Sequence, residues 1–153
     1  MDVTLIDGRS GSGKSDLATL IASRINGAQL VRLDDIYPGW DGLDAASRAV
    51  PGILESLSWR AWDWAGDKPG EMHYLRPDAP IIIEGVGALS RASRGLATTA
   101  IWLDADAATR RERALDRDGE TFAPHWERWA AQEELFISRE SPRELADVVV
   151  RTA

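Results

Sequence analysis

The chain has no cysteine and only two residues each of His, Met, Tyr and Phe. Without Cys there is no disulfide framework and no thiolate-held zinc or iron–sulfur centre. His73 and His125 stand apart from each other and from any metal-ligand spacing, so each reads as a surface or hydrogen-bonded side chain. No Ser-His-Asp or H-E-x-x-H pattern is present. Positive charge is scarce as well: 18 Lys and Arg against 25 Asp and Glu give a net charge of -7, which lacks the basic footprint of a general DNA or RNA binder. The longest apolar run, around Ile81–Ile83, is far below the ~20 residues of a membrane span, and no leader pattern follows Met1. The expectation is a single domain over residues 1–153 in a reducing cytoplasm, with neither nucleic acid nor membrane as partner. What the chain has in excess is tryptophan, seven residues against four other aromatics, so the placement of those rings bears on function.

Val3–Asp7 is a short β-branched run that ends at Gly8, and the helical pattern Leu17, Leu20, Ile21, Ile25 follows. Further strands are predicted at Ala28–Leu33, Ile81–Glu84, Ala100–Leu103 and Leu145–Val150. Asp104 or Asp106 would cap a charged helix running to about Arg117, and Pro124 would open another through about Arg139. Near-continuous apolar strands separated by helices imply a parallel sheet covered on both faces. The stretch 35–78 is irregular, dense in Trp, Asp, Gly and Pro, and too long for a simple connection, which marks a functional insertion.

Gly8-Arg9-Ser10-Gly11-Ser12-Gly13-Lys14-Ser15 satisfies G-x-x-x-x-G-K-[ST] between a predicted strand and a predicted helix. Such a loop turns successive backbone N–H groups inward on an anion, at the positive end of the helix that follows. Lys14 can reach the terminal phosphates of a nucleoside triphosphate, and Ser15 can place its hydroxyl on Mg²⁺. Glu84, at the end of an apolar strand, fits the acid that holds the metal or its water shell, with a solvated strand end as the bland alternative. Asp34 and Asp35 end the strand after the phosphate-loop helix, at the edge where α/β sheets bind ligands. A carboxylate there can accept the proton of an attacking hydroxyl, the other acid serving as a turn cap. Arg110, Arg113 and Arg117 share a helical face that could close over a triphosphate as a lid spanning 110–126; a solvated, salt-bridged helix is the alternative. No D-x-x-G followed by N-K-x-D for guanine is present, and the chain is too short for a large ATPase core with sensor elements.

These residues resemble the uridine kinase-like and nicotinamide riboside kinase-like P-loop phosphotransferases, as a compact member. The resemblance covers nearly the whole chain and rests on Gly8–Ser15, Asp34-Asp35-Ile36-Tyr37, Trp40-Asp41, Trp62-Asp63-Trp64, Ile83-Glu84-Gly85, the arginines of Asp104–Asp118, and Ala146-Asp147-Val148. It implies a three-layer α/β/α P-loop NTPase kinase fold with a five-stranded parallel sheet in the order 2-3-1-4-5. It also implies transfer of the γ-phosphoryl group of ATP, with Mg²⁺, to a hydroxyl of a nucleoside or nucleoside-like metabolite. By the same resemblance Asp34 is the base, Glu84 assists the metal, and Arg113 and Arg117 are lid arginines. Trp62 and Trp64 sandwich the acceptor ring beside Tyr37, and Asp41 holds its hydroxyls. Uridine kinases carry a His shortly after the aromatic pair, where this chain is near Asp67, so the acceptor stays open. Trp102, Trp126 and Trp129 read as packing, whereas Trp40, Trp59, Trp62 and Trp64 cluster in the insertion with acids and glycines, where Trp62 and Trp64, with Trp40 nearby, offer a wall of stacking surface. A nucleoside monophosphate kinase, with Arg48, Arg60, Lys68 and Arg76 as candidate phosphate ligands, and a nucleotide-binding regulatory module remain alternatives.

Overall fold

The computed structural model describes residues 1–152. Strand β1 (Val3–Gly8) leads through the glycine loop into α1 (Lys14–Arg24), and β2 (Gln29–Arg32) runs into a 3₁₀ turn at Leu33–Asp35. Helix α2 (Leu43–Ser56) and a hairpin of β3 (Ser58–Asp63) and β4 (Lys68–Tyr74) precede β5 (Ile81–Glu84). Then come α3 (Arg91–Arg94), β6 (Thr99–Asp104), α4 (Ala107–Asp118), α5 (Trp126–Glu140), α6 (Pro142–Leu145) and β7 (Val148–Arg151), with 3₁₀ turns at Gly119–Thr121 and Ala123–His125 between α4 and α5.

The main sheet has the order β2-β5-β1-β6-β7, every neighbour pair parallel. Counting only the strands of that sheet, this is the order 2-3-1-4-5. Its centre is the most buried part of the chain: Leu5, Ile6 and the three isoleucines of β5 are each at most 1% exposed, because helices cover both faces and both sides of each strand must be apolar. Leu5 and Ile83 lie on one face with Val31, Leu33, Val50 and Phe136, whereas Ile6 and Ile82 lie on the other with Ala18 of α1.

Several sequence boundaries move. The second strand shortens to Gln29–Arg32, and Leu33 belongs to the turn that carries the acid pair. The last strand begins at Val148, since Pro142 opens a short helix at N1 or N2 through Leu145. Asp106, rather than Asp104, caps α4, its carboxylate accepting from the Thr109 amide at 2.8 Å. Pro124 sits in a 3₁₀ turn, and the helix proper starts at Trp126.

The largest difference lies within 35–78, which is not irregular. Leu43, Ala46, Val50 and Ile53 bury one helical face of α2. That period is in the sequence but is interrupted by Pro51-Gly52, which normally break helices. The hairpin is antiparallel with a register shift between Arg60 and Trp62. That bulge spoils the two-residue alternation by which a strand is recognised.

Candidate functional site

The phosphate loop leaves β1 at Gly8, and α1 begins at Lys14 with Gly13 at its N-cap in the left-handed region (φ 101°). Among the described residues no side chain caps α1, so the first N–H groups of an 11-residue helix face the loop's hollow. Gly11 has φ 81°, and a Cβ there would stand 2.0 Å from the Arg110 carbonyl oxygen, so the backbone curls where only glycine fits. Lys14 is 8% exposed and folds back to donate to the Arg9 carbonyl at 3.0 Å. The Ser15 hydroxyl donates to Glu84 Oε1 at 3.2 Å, which sets two hard oxygen donors side by side. Mg²⁺ takes few protein oxygens and keeps waters and phosphates as its other ligands, so this pair fits it. Burial pushes the Glu84 carboxyl above its usual range; Lys14 and Arg32 pull it back, while Asp34 adds to the rise. Arg32 reaches Glu84 Oε1 at 3.3 Å.

Two cavities open on this loop. The first, about 410 Å³, is lined by Ser10, Lys14, Ser15, Asp34, Glu84, Arg117 and Asp118 on its polar side and by Tyr37, Trp40, Trp64, Val86, Phe122 and Trp129 on its apolar side. The second, about 480 Å³, lies against the outer side of the loop and is lined by Gly11, Gly13, Lys14, Ser15, Asp16, Arg113, Asp116 and Arg117. Lys14, Ser15 and Arg117 line both. Both volumes suit a small-molecule ligand, for which pockets of about 300–1,000 Å³ are usual.

Of the acid pair, Asp34 faces the first cavity and Asp35 lines neither. The Asp35 carboxyl is raised by burial and by Asp34, against the pull of the positive charge of Arg32 and His73. Trp64 donates its Nε1–H to the Asp34 carbonyl at 2.9 Å, so the hairpin tip is tied to the acid turn. Tyr37 lines the cavity with its ring while its hydroxyl donates to the Val86 carbonyl at 2.7 Å. Gly85, at φ 147°, leaves no room for a Cβ, which would meet Leu33 at 2.5 Å.

Other sequence candidates are placed differently. Asp41 is not in either cavity: Arg128 of α5 grips its carboxylate with two nitrogens, one at 2.6 Å, and holds it below the usual carboxylate range. Trp62 lines neither cavity: it stands within β3 opposite Pro69, whereas Trp64 lies past the strand's end in the turn, and the buried Trp62 Nε1 has no partner among the described residues. The partner of Trp64 across the wall is Trp40, with ring centroids 5.3 Å apart. Arg9 points away from the loop's hollow and pairs with Glu133 at 3.0 Å and Glu134 at 2.5 Å. Arg110 is buried and donates to the Ala105 and Ser10 carbonyls, bracing the loop from behind instead of closing over it. Arg113 donates to the Gly11 carbonyl and the Thr152 hydroxyl at the rim of the second cavity. Gly8 and Ser12 shape the turn without lining a cavity. Neither cavity is lined by Arg48, Arg60, Lys68 or Arg76.

The sequence reading missed four contributors. Trp129 packs as expected, 5% exposed, yet its ring also walls the first cavity, edge-on to Tyr37 at 4.7 Å. Phe122 and Thr121 enter from the turns after α4, where no motif marks them. Glu133, 1% exposed, accepts from the Ser10 amide at 2.8 Å and from Arg9, and fixes the loop to α5.

A second buried acid, Asp7 at the end of β1, is fully enclosed and accepts from the amides of Gly8, Gly87 and Leu89. Burial pushes its carboxyl up to about 7 from an ordinary 3.8, against the pull of those amides and Lys14. Between those two values the folded protein keeps a proton that the unfolded chain has lost. This group's share of stability is therefore full below about pH 4 and falls, by as much as roughly 4 kcal/mol, as the pH rises to 7. Urea midpoints measured from pH 4 to 8 will show that decline, and Asp7→Asn will flatten it.

No family model matches the chain, and no curated protein does. Solved structures do. A protein described as a possible uridine kinase from Bacillus stearothermophilus is similar over 97% of this chain and 88% of its own, with a TM-score of 0.62 and 22% identity. A gluconokinase from Sinorhizobium meliloti 1021 is similar over 99% and 83%, with a TM-score of 0.59 and 20% identity. Shikimate kinase from Bacteroides thetaiotaomicron is similar over 97% and 85%, with a TM-score of 0.57 and 12% identity. At these identities the likeness speaks for fold, and with the complete Gly8–Ser15 loop between β1 and α1 the chain has the P-loop kinase fold.

Proposed function

We propose that this chain is an ATP-dependent kinase that phosphorylates a hydroxyl of a small, ring-bearing acceptor, a nucleoside or a nucleoside-like metabolite. One observation carries the reading: the two cavities meet at Lys14, Ser15 and Arg117, the residue types that handle a transferring phosphoryl group. The outer cavity takes the nucleotide, and the aromatic one takes the acceptor. Lys14 and the loop amides hold phosphate oxygens, while Ser15 and Glu84 provide the oxygens for Mg²⁺, which when bound neutralises charge on those phosphates. Asp34 takes the proton of the acceptor hydroxyl. Arg117, at the boundary of both cavities, faces the charge that develops between donor and acceptor. Trp40, Trp64 and Trp129 lay apolar surface along the acceptor and keep water from the transfer.

The positions of Arg48, Arg60, Lys68 and Arg76, outside both cavities, speak against an acceptor that already carries a phosphate. Incubation with labelled ATP, Mg²⁺ and a panel of nucleosides, sugars and vitamins will yield a labelled acceptor. Tight ATP binding with transfer to no member of a broad panel would replace this reading with the regulatory module. For an acceptor found in that way, Trp40→Ala will raise KM about tenfold with little change in kcat, since a stacking wall acts before and during transfer alike.

A further inference from the structure

The acceptor cavity has a charge pattern that its neighbour lacks. Five ionisable groups apart from Tyr37 line it: Lys14, Asp34, Glu84, Arg117 and Asp118. Both cations also line the nucleotide cavity, and a triphosphate there draws them toward its oxygens. Asp34 and Asp118 line the acceptor cavity alone. At present Arg117 gives Nε and Nη2 to Asp118 Oδ2, at 3.2 and 3.0 Å. An Arg117 that turns to phosphate leaves the Asp118 carboxylate facing the cavity without that cation. The same cavity is lined by a run of aromatic rings: Trp40 lies 5.3 Å from both Trp64 and Phe122 and 6.2 Å from Trp129, with His125 stacked on it at 4.4 Å, while Trp64 is 40% exposed. The negative face of an indole and a carboxylate attract the same ligand group, a cation that the apolar wall has partly stripped of water.

We infer that the acceptor is a hydroxyl compound carrying a positively charged nitrogen beside an apolar ring, its charge held between Asp118 and the Trp40–Trp64 wall. An acceptor with its own carboxylate or phosphate meets Asp34, Glu84 and Asp118 and finds no cation left to receive it. Asp118 is then the residue that sets acceptor charge, and Arg117 releases it when nucleotide arrives. The inference rests on the proposed role of the aromatic cavity, though not on transfer itself.

Three compounds that share a phenyl ring and a benzylic hydroxyl test it: 2-amino-1-phenylethanol, 1-phenylethane-1,2-diol and mandelate, which are cationic, neutral and anionic at pH 7. Titration calorimetry with Mg²⁺ and a non-hydrolysable ATP analogue will rank them in that order, the amine at least about tenfold tighter than the diol. Asp118→Asn will cut that preference below about threefold, and Asp118→Glu, which keeps the charge, will preserve most of it. Equal or tighter binding of the diol or of mandelate, an undiminished preference in a folded Asp118→Asn protein, or binding of none of the three overturns the inference. Transfer of phosphate to a neutral acceptor with no charge ranking would sink this inference and leave the kinase reading intact. A clear ranking with no transfer to any acceptor would do the reverse.

Discussion

Asp34→Asn will keep nucleotide affinity and lose transfer to an acceptor hydroxyl by about 10²- to 10⁴-fold, the usual range for removing a general base. The substitution keeps size and hydrogen-bonding capacity and removes only the ability to take a proton. Asp34 is well placed for so selective an effect. It sits in the 3₁₀ turn after β2, its backbone carbonyl is held by Trp64, and its carboxylate faces the acceptor cavity rather than the nucleotide cavity. Asp35→Asn is the internal control, because Asp35 lines neither cavity. Rapid-quench measurement of one turnover, beside a nucleotide titration, separates the two steps. Equal losses for Asp34→Asn and Asp35→Asn would assign the effect to the turn's geometry and remove Asp34 from the role.

Lys14→Ala will act on both steps, with kcat/KM for ATP falling by about 10³-fold or more and nucleotide affinity weakened alongside. Two effects of the ammonium combine here. It is a nearly buried positive charge where both cavities meet, so its loss removes stabilisation from bound phosphates and from the transferring group. It also offsets part of the burial penalty on the Glu84 carboxyl, so its loss lets Glu84 hold a proton to higher pH and weakens the oxygen pair at Ser15. Residual activity in Lys14→Ala will therefore demand more Mg²⁺ and rise toward alkaline pH, which a Mg²⁺ titration at pH 6.5 and 8.5 checks. Fluorescence-detected nucleotide binding equal to the parent's would sink the phosphate-holding role of Lys14.

Much of this was legible in one dimension. Gly8–Ser15 can be read from sequence because a phosphate cradle is local: glycine at fixed spacing, then a helix whose first N–H groups point at the ligand. Glu84 was legible for a related reason, as the one charge ending an all-buried strand whose register with β1 sets it beside the loop. The aromatic wall was legible in part, since Trp40 and Trp64 stand in the tryptophan cluster of the insertion and both line the first cavity. The family resemblance put the acceptor ring between Trp62 and Trp64, but Trp62 stays within β3 opposite Pro69 while Trp64 stands past the strand's end, where its ring neighbour is Trp40. Asp41 looked like a hydroxyl ligand until α5, 87 residues later, brought Arg128 onto it. Arg9 and Arg110 belong to or follow the right motifs, yet Glu133 claims one and backbone carbonyls claim the other.

By itself the sequence determined the layered parallel fold, the phosphate loop and the buried acid that ends the strand beside it, all of which follow from hydrophobic period and short-range spacing. The tertiary structure decided which of two adjacent acids lines the first cavity, that the aromatic side chains of Tyr37, Trp40, Trp64, Phe122 and Trp129 wall it together, and which arginine lies between the cavities. Those choices depend on contacts between residues some 30 to 130 positions apart, such as Trp64 on Asp34 and Glu133 on Arg9. A side chain's partner at that range is set by how helices and hairpin pack on the sheet, and no local pattern encodes it.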